Sequence, residues 1–288
     1  MLLLLIKGII ISSCIFLIYL LFYKSQPNKK HKTLYMLDNR LKNQDDIFST
    51  EHLSNKDKFN AILDSAIKIL DDTISQPYEP KLKKYQEHPI FDFIRILGRS
   101  LQSDYIKYSL YFSSDECNVP NLYWNTVGFD TGVRFAVDYN KTISFWDLLK
   151  EVSSNKELSL STDLILPWPW KKSRLINAIE SIGNGRLKGV WRQDPNHCIE
   201  LWLPIGLGWV TCGNHSIAIG IIQGGKIKPH TFYDMSSLYK YIRCDGEYFI
   251  KNDFNTTDEI IGNVTSVEFA AIFEIGRLLI EKNISFID

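Results

Sequence analysis

The densest set of chemically capable side chains lies in residues 191–216, WRQDPNHCIELWLPIGLGWVTCGNHS, where Arg192, Asp194, Asn196, His197, Glu200, Asn214, His215 and Ser216 stand among three tryptophans. Polar groups beside so much apolar surface need partners or a ligand, because an unmet buried polar group costs about 1–3 kcal/mol. Several chemistries fit these residues. In the first, Gly213-Asn214-His215-Ser216 is a turn between a buried strand and a helix. Its backbone N–H groups and positive helix end suit a phosphate or another anion. Gly213 permits a tight turn, and Arg192 and His215 add charge or hydrogen bonds. In the second, His197 and His215 bind a metal together with Asp194, Glu200 or Cys212, all of them ligand types that zinc accepts, although the spacing matches no HExxH pattern. A hydrolase could be built on such a site, with Asp194 and His197 as candidates for proton handling. A nucleophilic pair of Cys198 or Cys212 with a histidine is a third arrangement. The fourth is purely structural, with Asn196 and Asn214 capping turns, the histidines bonded locally and the tryptophans in the core.

Around this cluster, LILPWPW at 164–170 is an apolar entry that Pro167 and Pro169 keep extended. Helical spacing runs from Ser173 to Ile182 and stops at Gly183-Asn184-Gly185. CIELWLP at 198–204 and LGWVTC at 207–212 read as strands. NHSIAIGIIQ at 214–223 is apolar throughout, so it fits a short buried helix or a strand. KIKPHTFYDM and GEYFIK are further strands, with Asp245-Gly246 as a turn, and residues 267–282 form a closing helix.

This order of elements over residues 164–235 resembles the ParB/sulfiredoxin-like fold. The proline-bearing entry LPWPW leads to a helix that ends in Ser181-Ile182-Gly183-Asn184-Gly185. Two strands, a glycine turn and a second helix come next. The resemblance implies that Gly213, Asn214 and His215 line a site for the phosphates of a nucleotide such as CTP or ATP. Ser216 stands where that family carries an arginine, and Asn214 stands where sulfiredoxins carry the reactive cysteine, so sulfiredoxin chemistry is not implied. WPWKKSR with the GNHS turn is also similar to a family of small, membrane-linked bacterial proteins.

The N-terminal half reads differently. In KFNAILDSAIKILDDTI, from Lys58, Phe59, Ile62, Leu63, Ala66, Ile67 and Leu70 fall on one helical stripe. A second amphipathic stretch begins after His88-Pro89 and is expected to pack on the first. Residues 142–152 read as a short helix capped by Ser144. The expected organisation is a mainly helical region at 56–160 and an α+β domain at 161–288 built on a small mixed sheet, α+β overall.

Residues 1–23, MLLLLIKGIIISSCIFLIYLLFY, are long and apolar enough to cross about 30 Å of hydrocarbon. They lack the small-x-small site of a cleaved signal peptide, so they read as an uncleaved anchor. Lys24, Lys29, Lys30 and Lys32 come directly after, which places the rest of the chain on the cytoplasmic side of a bacterial inner membrane, beyond a polar tether at 24–55. Free thiols at Cys117, Cys198, Cys212 and Cys244 agree with a reducing compartment. Thirty-three basic residues balance thirty-three acidic ones, which excludes nucleic-acid binding by bulk charge. The partners expected are therefore the membrane, a nucleotide or other phosphorylated ligand, or a protein held by Trp168 and Trp170 if the chain is a tethered interaction module. No cofactor is specified.

Overall fold

The computed structural model describes residues 53–75, 87–112 and 121–287. The expected anchor, nearly all of the tether, and Cys117 lie outside the described residues. Among the described residues no helix is long and apolar enough to cross a membrane.

The fold is mixed α+β, with six helices and several sheets among the described residues. Helices α1 (Asn55–Ser75) and α2 (Ile90–Tyr108) come first, then the single turn α3 (Trp124–Val127). Short strands β1 (Arg134–Ala136) and β2 (Thr142–Ser144) pair with each other. Next come β3 (Lys150–Glu151), β4 (Leu158–Ser159) and β5 (Ile165–Leu166), then α4 (Lys172–Ser181). The hairpin β6 (Cys198–Leu203) and β7 (Leu207–Cys212) runs into α5 (Asn214–Gln223). Strands β8 (Lys226–Ile227), β9 (Thr231–Asp234), β10 (Ile242–Cys244), β11 (Tyr248–Lys251) and β12 (Glu259–Asn263) precede the closing helix α6 (Val267–Glu281).

The central sheet has the order β3-β9-β6-β7-β5. Its β6–β7 and β3–β9 pairs are antiparallel, while β6–β9 and β5–β7 are parallel. A second, antiparallel sheet has the order β10-β11-β12. Helix α6 is apolar on most of its surface, as a helix covered on several sides must be. Its Phe269 meets Trp209 of the central sheet, and its Phe273 meets Phe249 of the second sheet. Trp124 packs on Trp202, Trp209, Phe269 and Phe273 and is fully buried. Ser266 starts α6 by accepting the N–H of Phe269.

The amphipathic stripe of α1 is realised by Phe59, Ala66 and Leu70, which are buried, with Ile62 and Leu63 partly so. Ile67 departs from it and is 41% exposed. The two first helices do touch, but both pack chiefly on α6 and not on each other. The helix expected at 142–152 is instead β2, one 3-10 turn at Trp146–Leu148 and β3. Ser144 caps that turn reciprocally: its N–H and hydroxyl donate to the Asp147 carboxylate, and its Oγ accepts the Asp147 N–H. The change in sequence character at residue 160 lies inside one compact unit, Ser54–Asp288. Strand β3 joins the central sheet through β9, and β4 pairs with β8, so residues 150–159 belong structurally with the C-terminal half.

Candidate functional site

Burial falls along the β6–β7 hairpin from its buried loop end to an exposed end at Cys198 and Cys212. There the chain turns through Gly213 (φ 80°, ψ 19°) into α5. This left-handed backbone favours glycine. Space demands it too, because a Cβ on Gly213 would lie 2.5 Å from His197 Cδ2 and 2.8 Å from the Asn196 carbonyl oxygen. The apolar run at 214–223 is thus a helix, with Ile217, Ala218, Ile219, Gly220 and Ile221 buried.

His197 is buried beneath the turn. Its Nδ1 accepts the Asp194 N–H at 2.9 Å, which puts the ring proton on Nε2. Nε2 then donates to Ser216 Oγ at 2.9 Å, and Trp191 Nε1 donates to the same oxygen at 3.1 Å. Asp194, His197 and Ser216 therefore stand in the order of a catalytic triad with the proton on the wrong nitrogen. A histidine that donates to the hydroxyl cannot withdraw its proton. As arranged, these residues tie segment 191–197 to α5. Burial pulls the His197 pKa below the ordinary imidazole value, against the opposing charge of Asp194.

Asn214 does not cap its own helix. Its Oδ1 accepts the Trp168 N–H at 2.6 Å. His215 Nε2 accepts the Lys171 N–H at 3.1 Å, and its ring meets Trp170 edge-on at 5.6 Å. Burial, with Arg174 nearby, brings the His215 pKa down to about 4, so the ring is neutral at pH 7. Through these two bonds the start of α4 is held against the start of α5. Neither helix has a side-chain cap or an acidic residue in its first turn. Lys171, Lys172 and Arg174 instead crowd the start of α4, with Lys172 Nζ bonded to the Phe112 carbonyl at 2.7 Å and Arg174 lying 5.3 Å over the Trp170 ring. Trp170 is 36% exposed and Trp168 is half-buried. The junction thus offers two positive helix ends, basic side chains and an exposed aromatic ring, a combination suited to a phosphate-bearing ligand.

The grouping expected from sequence is therefore realised in part. Gly213, Asn214, His215, Ser216 and His197 are brought together. Arg192 is exposed and makes no hydrogen bond or ion pair among the described residues, so no contact draws it to the turn. Glu200 belongs elsewhere, accepting from Tyr123 Oη at 3.0 Å and Trp202 Nε1 at 3.4 Å. Among the described residues no group of three or more His, Cys, Asp or Glu side chains is placed to hold a metal ion. His197 and His215 are engaged on different partners. Cys198 and Cys212 face each other across β6 and β7 and are free thiols, and the Cys198 thiol donates to the Pro195 carbonyl oxygen at 3.9 Å. Arg174 is the residue that inspection of the sequence missed. Its signal was nevertheless present, since Lys171, Lys172 and Arg174 stand at a helix start, where the helix dipole disfavours cations.

Comparison with known proteins finds no match among curated proteins or among solved structures. A family of unknown function, DUF6710, matches residues 44–286, and the chain belongs to that family.

Proposed function

We propose that this protein binds a phosphorylated small ligand, a nucleotide in the leading reading, at the junction of the α4 and α5 N-termini, with its folded part tethered to the cytoplasmic face of a membrane by residues 1–23. One observation carries the site: Lys172 and Arg174 occupy the first turn of α4, and that turn holds no acidic residue. Each exposed cation at a helix start costs roughly 0.3–1 kcal/mol. A sequence that breaks a local rule this way commonly does so for a site, where a bound anion reverses the sign of the term. Helix α5 starts at the same junction without a side-chain cap, and Trp170 supplies an exposed ring on which a base can stack. The resemblance of residues 164–235 to the ParB/sulfiredoxin-like fold supports the same ligand class at the same turn. Arg174 takes the role that proximity in sequence suggests for Arg192. His197 and Asp194 hold the turn and move no proton.

The test is thermal unfolding of the protein with pyrophosphate, ATP and CTP, with and without magnesium. A ligand at about a hundred times its Kd adds about 2.7 kcal/mol of stability. Arg174→Glu, an exposed change, is expected to weaken binding about tenfold or more by converting attraction to repulsion. Gly213→Trp is unsuitable as a probe, because the added side chain collides with His197 and the Asn196 backbone. A flat panel, or binding that Arg174→Glu leaves intact, overturns the assignment.

A further inference from the structure

We propose that Cys198 and Cys212 form a reversible thiol–disulfide site, closed by exchange with a low-molecular-weight disulfide and reopened by a thiol. The two residues are direct partners in the antiparallel β6–β7 register, so their side chains leave the same face of the sheet. Directly opposed strand residues have Cα atoms about 4.5–5.5 Å apart, inside the span of about 4.4–6.8 Å that a disulfide bridges. The register carries an irregularity between Cys198 and Ile199, which leaves Thr211 as an extra residue on β7. Such a bulge loosens the ladder locally and gives the backbone the latitude needed for bond closure. Both cysteines are free thiols, Cys212 exposed and Cys198 partly so, whereas Cys244 is buried.

The site is also isolated from competing chemistry. Cys198 Sγ lies 3.9 Å from the Pro195 carbonyl oxygen, and no histidine is hydrogen-bonded to either sulfur among the described residues. Burial, with Cys212 beside it, raises the Cys198 thiol above its ordinary pKa. Accessibility therefore assigns the order of events. The Cys212 thiolate attacks one sulfur of glutathione disulfide, forming a mixed disulfide and expelling one glutathione thiolate. Cys198 then gives up its proton to that thiolate and attacks the Cys212 sulfur, expelling the second glutathione. Two protein thiols are oxidised to one disulfide, and one glutathione disulfide is reduced to two thiols.

The experiment exposes the native full-length protein to glutathione disulfide, alkylates the remaining thiols and maps the peptides by mass spectrometry. The expected result is a Cys198–Cys212 linked peptide that has lost two hydrogens and is restored by dithiothreitol, with Cys244 unalkylated until the protein is denatured. In Cys198→Ser, glutathione is expected to remain on Cys212, trapping the first step. The proposal is overturned if both cysteines stay alkylatable in the wild type, if each carries glutathione without a link between them, or if either is linked to Cys117 instead.

Discussion

His215 couples a hydrogen bond to a protonation state, and its effect on stability has a definite sign. The folded ring, accepting from the Lys171 N–H and half-buried beside Arg174, titrates near 4, against 6.5 for the unperturbed group. The unfolded chain therefore binds the proton more readily, and stability rises with pH in that interval. The contribution is fully present above pH ~6.5 and fades as the pH falls from about 6.5 toward 4. Thermal unfolding measured across that range should show the melting temperature falling with pH, and His215→Gln should flatten the slope; an unchanged slope would assign the acid sensitivity to other groups. Gly213 has a second checkable consequence. Gly213→Ala places a Cβ against His197 and the Asn196 carbonyl in a left-handed backbone, so a loss well above 1 kcal/mol in chemical denaturation is expected. At this scale the site was legible where composition alone signals it: polar residues in an apolar stretch marked His197, Gly213, Asn214, His215 and Ser216. What composition does not show is direction. Arg192 is close in sequence to the cluster but lies on an exposed segment, while Arg174, some forty residues before the turn, lies over Trp170 and near His215 because α4 packs on α5.

Elements with a clear period were legible, and elements whose structure depends on distant partners were not. Helices α1, α2 and α6 show a stripe or a cap, and strands β6 and β7 are bounded by turn residues. The run at 214–223 has no helical or strand alternation, so only the left-handed Gly213 before it and the packing around it make it α5. Residues 142–152 carry a helix-like cap at Ser144, yet pairing of β3 with β9 draws the chain into the sheet after one turn. The docking of α2 is similarly non-local. Gly98 lets α2 approach Leu164 so closely that a Cβ would lie within 2.3 Å of a methyl carbon. One turn on, the buried Gln102 donates from Nε2 to the Ile165 carbonyl at 2.6 Å, and Arg99 holds the Ser161 and Thr162 carbonyls. Gln102→Leu keeps the size but leaves Ile165 without that donor, so urea unfolding should report a loss of about 1–3 kcal/mol. A neutral result would show that the α2 contact with β5 rests on packing alone.

At the scale of the molecule, the parallel pairs β6–β9 and β5–β7 join segments that no hairpin connects, and this is why strand order was not readable from sequence. The compact unit Ser54–Asp288 contains its own core, with Trp124, Trp202 and Trp209 fully buried among aromatic neighbours. A core of this kind needs no membrane, and residues 1–23 are apolar over the length that the proposed anchor requires. Core and anchor separate experimentally. The full chain should sediment with membranes and resist extraction at alkaline pH, while a chain lacking residues 1–23 should appear in the supernatant with an unchanged melting temperature. With the proposed anchor in the bilayer, the lysines after the apolar run place the rest of the chain on the cytoplasmic side. Exposed Cys212 should therefore react with a membrane-impermeant maleimide only after the cells are opened. Labelling in intact cells would reverse the orientation, and a full chain that washes from membranes at alkaline pH would remove the anchor.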